Sequence, residues 1–472
     1  MKKGLMLFLL LCGASLLSRA QSLEEVIRLA QDSTVTAFQS RYEWESAQAR
    51  NAQFEALRKP QLSLQFKPNY YRMIIDPFRD YVYLRNFDRF SASAQLMLTQ
   101  KVLPFGGDAY VGTQALWSEY FTRDNQNRPR DFVATPLIVG YQQPLLGYNP
   151  FRWEKAAEDQ RLEAARKEYS TRLYLIAEES AKRYFRLVCA QGRVDMCERT
   201  RRTADTLYAI AKEKAGIAMI TLAELRSLEL QRLNATNALL SARNEEKLAR
   251  ESLAAYLRVD ESFFREGRLE IPTRTREIRL TPEDALQLAR SGSPVVQQRQ
   301  TALTEARGLQ EKARKERGVK VGVDLNIGMQ QINDHFLGAY KNPQFYMLGA
   351  VTLTVPLLDH GAARKGHAAA AAWQERQEQA LREAERALQE DVLTTLENLR
   401  SHEQLLQMTQ EAVAMADDVF ELTAENYANG LCDINTYSLA QTRRDNAYNQ
   451  HLTALAGYWT TYYHLLTLTQ HE

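Results

Sequence analysis

Cysteine is scarce in this chain: four occur among 472 residues, and Cys12 lies in an apolar leader, leaving Cys189, Cys197 and Cys432. Cys189 and Cys197 fall in a helical pattern eight residues apart, about 12 Å at 1.5 Å per residue and beyond the roughly 7 Å that a disulfide spans. Unpaired thiols packed as small apolar residues are expected. Beyond the leader, no run approaches the roughly 20 consecutive apolar residues of a membrane-spanning helix, so any membrane crossing falls to strands. Charge is equally uninformative in sign. The formal net charge is +2, and it falls to −1 without Lys2, Lys3 and Arg19 of the leader, which argues against a nucleic-acid partner. Cys-x-x-Cys, His-Glu-x-x-His, Gly-x-Ser-x-Gly and a phosphate-binding glycine loop are all missing, so neither an enzyme nor a resident cofactor is expected. His360 and His367 are a close histidine pair, about 10 Å apart along a helix, too far to share a metal ion without outside ligands.

What is present begins with export. Lys2 and Lys3, the apolar stretch Leu5 to Leu11 and the small-x-small triplet Ser18-Arg19-Ala20 compose a signal peptide over 1–20, with cleavage near Ala20. Leu11 before Cys12 argues against a lipid-attachment site, which wants Ala or Gly there.

The rest of the chain reads as one pattern used twice. Leu23-Glu24-Glu25-Val26-Ile27-Arg28-Leu29-Ala30 is echoed by Pro282-Glu283-Asp284-Ala285-Leu286-Gln287-Leu288-Ala289, at an offset of 259. In a first repeat, 21–258, helix 22–58 precedes strands over about 61–144, a long helix 150–214 and a return helix 222–258. A charged linker, 259–280, leads to a second repeat, 281–472: helix 281–317, strands over about 319–356, long helix 361–428 and return helix 437–467. Val319, Val321, Val323, Leu325, Ile327 and Met329 alternate with polar or small residues, giving a strand with one apolar face. The barrel exits Gln143-Pro144-Leu145-Leu146 and Val355-Pro356-Leu357-Leu358 match at an offset of only 212, so the first repeat carries 47 extra residues. They fit an added hairpin over 104–143 and six strands in all, with four as the alternative. Val392, Leu399, Leu406, Val413, Phe420 and Tyr427 recur every seven residues, the spacing of a left-handed coiled seam. Gly216 and Gly430 can end the two long helices as C-caps and mark the turns at their tips.

Strands with an apolar face cannot end at an open edge in lipid, and six are too few for a barrel with a lumen, so several copies must share one. Three copies would supply 12 or 18 strands. The expectation is an α+β membrane protein: a long periplasmic α-helical coiled-coil barrel joined to a transmembrane β-barrel shared by a trimer, each chain built from two structural repeats.

The duplicated starts, the Val355-Pro356-Leu357-Leu358-Asp359 exit and Tyr427-x-x-Gly430-Leu431 together resemble the TolC-like outer-membrane efflux proteins, over essentially all of the chain after the leader. That resemblance implies a homotrimeric exit duct, seated in outer-membrane lipid with a long periplasmic extension. It also implies docking to an inner-membrane pump of the RND or ABC type through a periplasmic adaptor, for efflux or type I secretion.

In the family a tyrosine three residues before the turn glycine helps constrict the periplasmic mouth, and Tyr427 holds that position here. The family's carboxylates, six and nine residues after the glycine, are replaced by Thr436 and Leu439, and the facing first-half position is Leu222. Asp433 is the remaining acidic candidate, read either as lining the mouth and favouring cations or as capping the returning helix. Tyr70, Tyr71, Phe78, Tyr81, Tyr83 and Phe87 form either an interfacial girdle or the packing of a long loop. A periplasmic coiled-coil scaffold would explain the long helices but not the two-faced strands, and a secreted enzyme would need clustered catalytic side chains.

Overall fold

The computed structural model describes residues 22–75, 85–121, 130–217, 220–264, 268–272, 280–429 and 431–470. The expected signal peptide, Gly430, much of the 259–280 linker and Phe78, Tyr81 and Tyr83 lie outside them. The chain divides into two compact units. One contains the described residues of Met1–Glu45, Ala165–Pro294 and Glu385–Glu472, and the other contains Ser46–Ala164 and Val295–Ala384.

The elements start with α1 (Leu23–Ser33) and α2 (Val35–Leu57). Ser22 opens α1 with a capping box, its hydroxyl accepting from the Glu25 N–H at 3.3 Å while the Glu25 carboxylate accepts from the Ser22 N–H at 3.4 Å. After the first four strands come α3 (Pro150–Gly216) and α4 (Leu222–Leu257), then α5 (Pro282–Gly292) and α6 (Pro294–Glu316). Two more strands lead to α7 (Ala362–Ala428) and α8 (Ile434–Thr469). The helices of the first half contain 11, 23, 67 and 36 residues, and those of the second half contain 11, 23, 67 and 36.

The single helices expected over 22–58 and 281–317 are each two helices, broken after eleven residues. Thr34 takes an extended backbone. Its hydroxyl donates to the Ala30 carbonyl at 2.7 Å and accepts from the Ala37 N–H at 3.3 Å, so one side chain closes α1 and caps α2. In the second half Pro294 does this work, since it lacks an N–H and pushes Ser293 out of the helical region.

The helical unit has a closed core. Tyr184, Phe185, Leu187 and Val188 of α3 pack with Leu253 and Leu257 of α4, Val392 and Leu399 of α7, and Tyr458, Trp459, Tyr462 and Leu465 of α8. Tyr184 is fully buried, and its hydroxyl donates to the Glu270 carbonyl at 2.5 Å, giving its one polar atom a partner. The seven-residue seam of α7 follows the same grading: Val392, Leu399 and Leu406 are buried, and Val413, Phe420 and Tyr427 half-buried.

The other unit carries six strands: β1 (Gln61–Ile75), β2 (Arg85–Val102), β3 (Gly107–Tyr120), β4 (Arg130–Pro144), β5 (Lys320–Asn333) and β6 (Gln344–Thr354). They form one antiparallel sheet in sequence order, with β4 joined to β5 and with β1 and β6 at its edges. The β3–β4 pair is the hairpin expected from the 47 extra residues, entered through Gly106 at φ +75°, a left-handed backbone that suits glycine.

Register sorts the two faces. Leu62, Leu64 and Phe66 stand opposite Leu98, Leu96 and Ala94, while Ser63, Gln65 and Lys67 stand opposite Met97, Gln95 and Ser93. Val323 and Ile327 face Val351 and Met347, with Asp324 and Asn326 on the reverse side. Among the described residues much of the apolar face is uncovered: Leu64 and Val351 are each 73% exposed.

Candidate functional site

The sequence points to the tips of the two long-helix hairpins. At the first, α3 ends at Gly216, where an added Cβ would meet nothing within 4 Å. Thr221 then opens α4 through a second capping box, accepting from the Glu224 N–H at 3.2 Å while the Glu224 carboxylate accepts from the Thr221 N–H at 2.8 Å. These bonds, led by the Thr221 backbone, hold Glu224 below the usual carboxylate range. Ile217 and Leu222 are exposed at the turn.

At the second tip the Asn429 N–H donates to the Glu425 carbonyl at 3.0 Å and the Leu431 N–H to the Asn426 carbonyl at 2.8 Å, which satisfies two of the last carbonyls of α7. Asp433 is the N-cap of α8: its carboxylate accepts from the Thr436 N–H at 2.9 Å and from the Thr436 hydroxyl. The Thr436 bonds, side chain first, hold it below the usual carboxylate range. Asp433 is also exposed, so it carries its charge in solvent beside the turn. Thr436, at one of the family's carboxylate positions, is thus a partner of Asp433, and Leu439 at the other is exposed.

Tyr427 belongs to a cluster that joins the two arms of this hairpin. Its ring centroid lies 5.2 Å from that of Tyr437, which lies 5.5 Å from Phe420, and the Arg444 guanidinium sits 4.0 Å over Phe420. Burial, then Cys432 and Tyr437, raises the Tyr427 hydroxyl above its ordinary pKa. Arg444 pairs with Asp445 at 3.2 Å, and Asp445 accepts from the Thr200 hydroxyl of α3 at 3.0 Å. Burial pushes the Asp445 carboxyl up. Sequence reasoning missed Tyr437, Arg444, Asp445 and Thr200. A signal existed, since Tyr437 and Arg444 are seven residues apart on α8, as are Phe420 and Tyr427 on α7.

The residues expected at the barrel exits lie elsewhere in the chain. Pro144 is the last residue of β4, opposite Gly322, and the next N–H, of Leu145, donates to the Val321 carbonyl at 2.8 Å. Pro356 lies two residues beyond β6, and Asp359 then accepts from the N–H groups of Gly361 and Ala363 at 2.9 and 3.0 Å, starting α7. Among the described residues no group of three or more histidine, cysteine or acidic side chains could hold a metal ion, and no helix is long and apolar enough to cross a membrane.

Residues 285–469 match the family described as outer membrane efflux protein. The chain is similar in structure to the outer membrane protein VceC from Vibrio cholerae, at TM-score 0.67 and 13% identity over 95% of each chain. The Campylobacter jejuni CmeC outer membrane channel gives 0.67 and 13% over 95% of this chain and 85% of that one. The open state of the Neisseria gonorrhoeae MtrE outer membrane channel gives 0.63 and 14% over 95% and 88%. A comparison with curated protein sequences finds no match. The fold is that of the TolC-like outer-membrane channels. Over residues 285–469 the chain resembles the outer membrane efflux protein family.

Proposed function

We propose that the chain is the outer-membrane exit channel of a tripartite efflux or type I secretion system, a passive conduit rather than an enzyme. One observation carries this reading: a six-stranded antiparallel sheet with a continuous apolar face and an edge strand at either side, on the same chain as two 67-residue helices. Exposed apolar strands suit lipid, and open edges there demand closure. Three copies, pairing β1 of one with β6 of the next, would close an 18-stranded barrel, wide enough for a water-filled lumen. Each 67-residue helix extends about 100 Å, long enough to project far into the periplasm. The equal helix lengths of the two halves support an internal duplication over 21–258 and 281–472. Removal of a signal peptide near Ala20 would deliver the chain to this location.

At the periplasmic mouth, Tyr427 and Asp433 would line the aperture, with Gly216 and Gly430 at the turns that meet a periplasmic adaptor. An RND or ABC-type pump in the inner membrane would supply the energy. Pro144 and Pro356 would mark where strands give way to helices.

The assembled protein, purified in detergent and reconstituted in planar bilayers, should run as a trimer and conduct. A monomer that never conducts would sink the reading. Asp433→Ser tests the aperture without removing the cap, because serine caps a helix about as well as aspartate. Loss of cation preference is expected, and unchanged selectivity would remove Asp433 from the constriction.

A further inference from the structure

The apolar face of the sheet contains a groove of about 390 Å³, within the range of roughly 300–1,000 Å³ that takes a small ligand or part of a larger one. Its floor is made of alanines. Ala94 stands opposite Ala115, which stands opposite Ala134, and Ala92 lies one pair further along. Its walls are aromatic: Phe66, Phe90, Trp117 and Phe132 line it from β1 to β4, with Phe90 and Trp117 edge to face at 5.7 Å. The β5–β6 connection forms a further wall, where Phe336 meets the Phe132 ring edge to face at 6.0 Å and Ala339 is fully buried.

Register puts this groove on the face that bears Leu62, Leu64, Leu96 and Leu98, because Phe66 and Ala94 pair two residues further along the same two strands. Among the described residues no charged side chain lines it. We infer that it holds one acyl chain of a membrane lipid, which rests on the reading that this face meets the bilayer. Small floor residues with large walls describe a furrow cut into an otherwise bulky surface. In a bilayer the chain is in an apolar medium whether bound or free, so the hydrophobic effect does not select the site. Close van der Waals contact does, with the alanine floor letting a chain lie near the backbone and the rings touching it along its sides.

The test uses the full assembly in vesicles of phosphatidylcholine brominated on its acyl chains, with the Trp117 signal read as the difference between the chain and its Trp117→Phe variant. A Leu325→Trp reporter on that variant samples the same face away from the groove. Bromolipid should quench both reporters. Filling the floor with Ala94→Phe, or more gently with Ala94→Leu, should remove most of the Trp117 quenching and leave the Leu325→Trp reporter quenched. Equal Trp117 quenching with the floor open and filled would overturn the groove. So would an unquenched Trp117 beside a quenched Leu325→Trp reporter, since the chain itself would then cover the site. Quenching at neither reporter would instead overturn the membrane reading beneath it.

Discussion

Leu253 in α4 and Val351 in β6 are both aliphatic residues at positions their local patterns mark as apolar, yet the first is fully buried and the second 73% exposed. The two belong to different units. In the helical unit the chain closes a core of its own around Tyr184 and Tyr458, although Leu240, Met408 and Leu422 toward the helix tips stay exposed. In the sheet unit the apolar residues form one face, paired across strands, and among the described residues most of it is uncovered apart from the end where the β5–β6 connection packs against Phe132. Pattern alone does not say which outcome follows. A helix seam with period seven has its partner in the same chain, whereas a two-faced strand leaves its partner, protein or lipid, to be supplied from outside.

This contrast predicts opposite responses to truncation. Leu253→Ala should cost roughly 2–5 kcal/mol, the range for emptying a buried leucine site, whereas Val351→Ala in detergent should stay within about 0.5 kcal/mol. Denaturant unfolding measures both. Comparable losses at the two positions would mean that the sheet buries Val351 after all.

Charge should reverse the ranking in lipid. Val351→Arg is expected to cost about 2–4 kcal/mol of folding into a bilayer at mid-membrane depth, and Gln65→Arg, on the polar face, close to nothing. Folding yield into lipid vesicles reads the difference. Equal yields would contradict the assignment of faces that register gives.

Much of this was legible beforehand, and the gaps have physical causes. The alternation Val319 to Met329 and the 47-residue surplus located β5 and the β3–β4 hairpin, because period two and turn residues are local signals. The breaks at Thr34 and Ser293 escaped notice because an apolar periodicity continues across them, while the side chain or proline that interrupts the backbone acts on a single residue. The Tyr427 cluster was only half visible: spacing places Tyr427 on the seam, but its contact with Tyr437 depends on which face of α8 returns. The groove was not legible at all, since its alanines are scattered over three strands and its far wall is a loop.

The two hairpin tips offer a finer comparison. Thr221 and Asp433 hold equivalent cap positions, but only the second is charged. Thr221→Ala and Asp433→Ala should each loosen the start of the following helix, seen as faster amide exchange over its first turn. Only Asp433→Ala should also alter ion selectivity. If both variants change it, helix fraying rather than charge controls the mouth.

The smallest expected effect concerns pH and the helical unit. His464 of α8 lies 3.2 Å from the Glu178 carboxylate of α3 and 3.6 Å from Asp391 of α7, and Lys182 also bonds Glu178 at 2.7 Å. The hydrogen bond to Glu178 leads in raising the His464 pKa, with burial opposing it and Asp391 adding to the rise. Burial works against ionisation of Glu178, but the bonds from His464 and Lys182 outweigh it and hold the carboxyl below its usual range. A raised histidine pKa stabilises the fold fully below the unfolded value near 6.5, and that contribution is lost as pH climbs through the folded value. A lowered Glu178 pKa acts in the other direction, its contribution being lost as pH falls through the folded value in the acid range. The cluster should therefore be strongest between these limits, and thermal stability should decline as pH rises from the mid-sixes. His464→Gln should remove that decline, at a cost near pH 6 of about 0.5–1 kcal/mol, since partial exposure screens the pair. A wild-type melting temperature flat between pH 6 and 8, or an equal decline in His464→Gln, would show that the cluster clips the helices together without sensing protons.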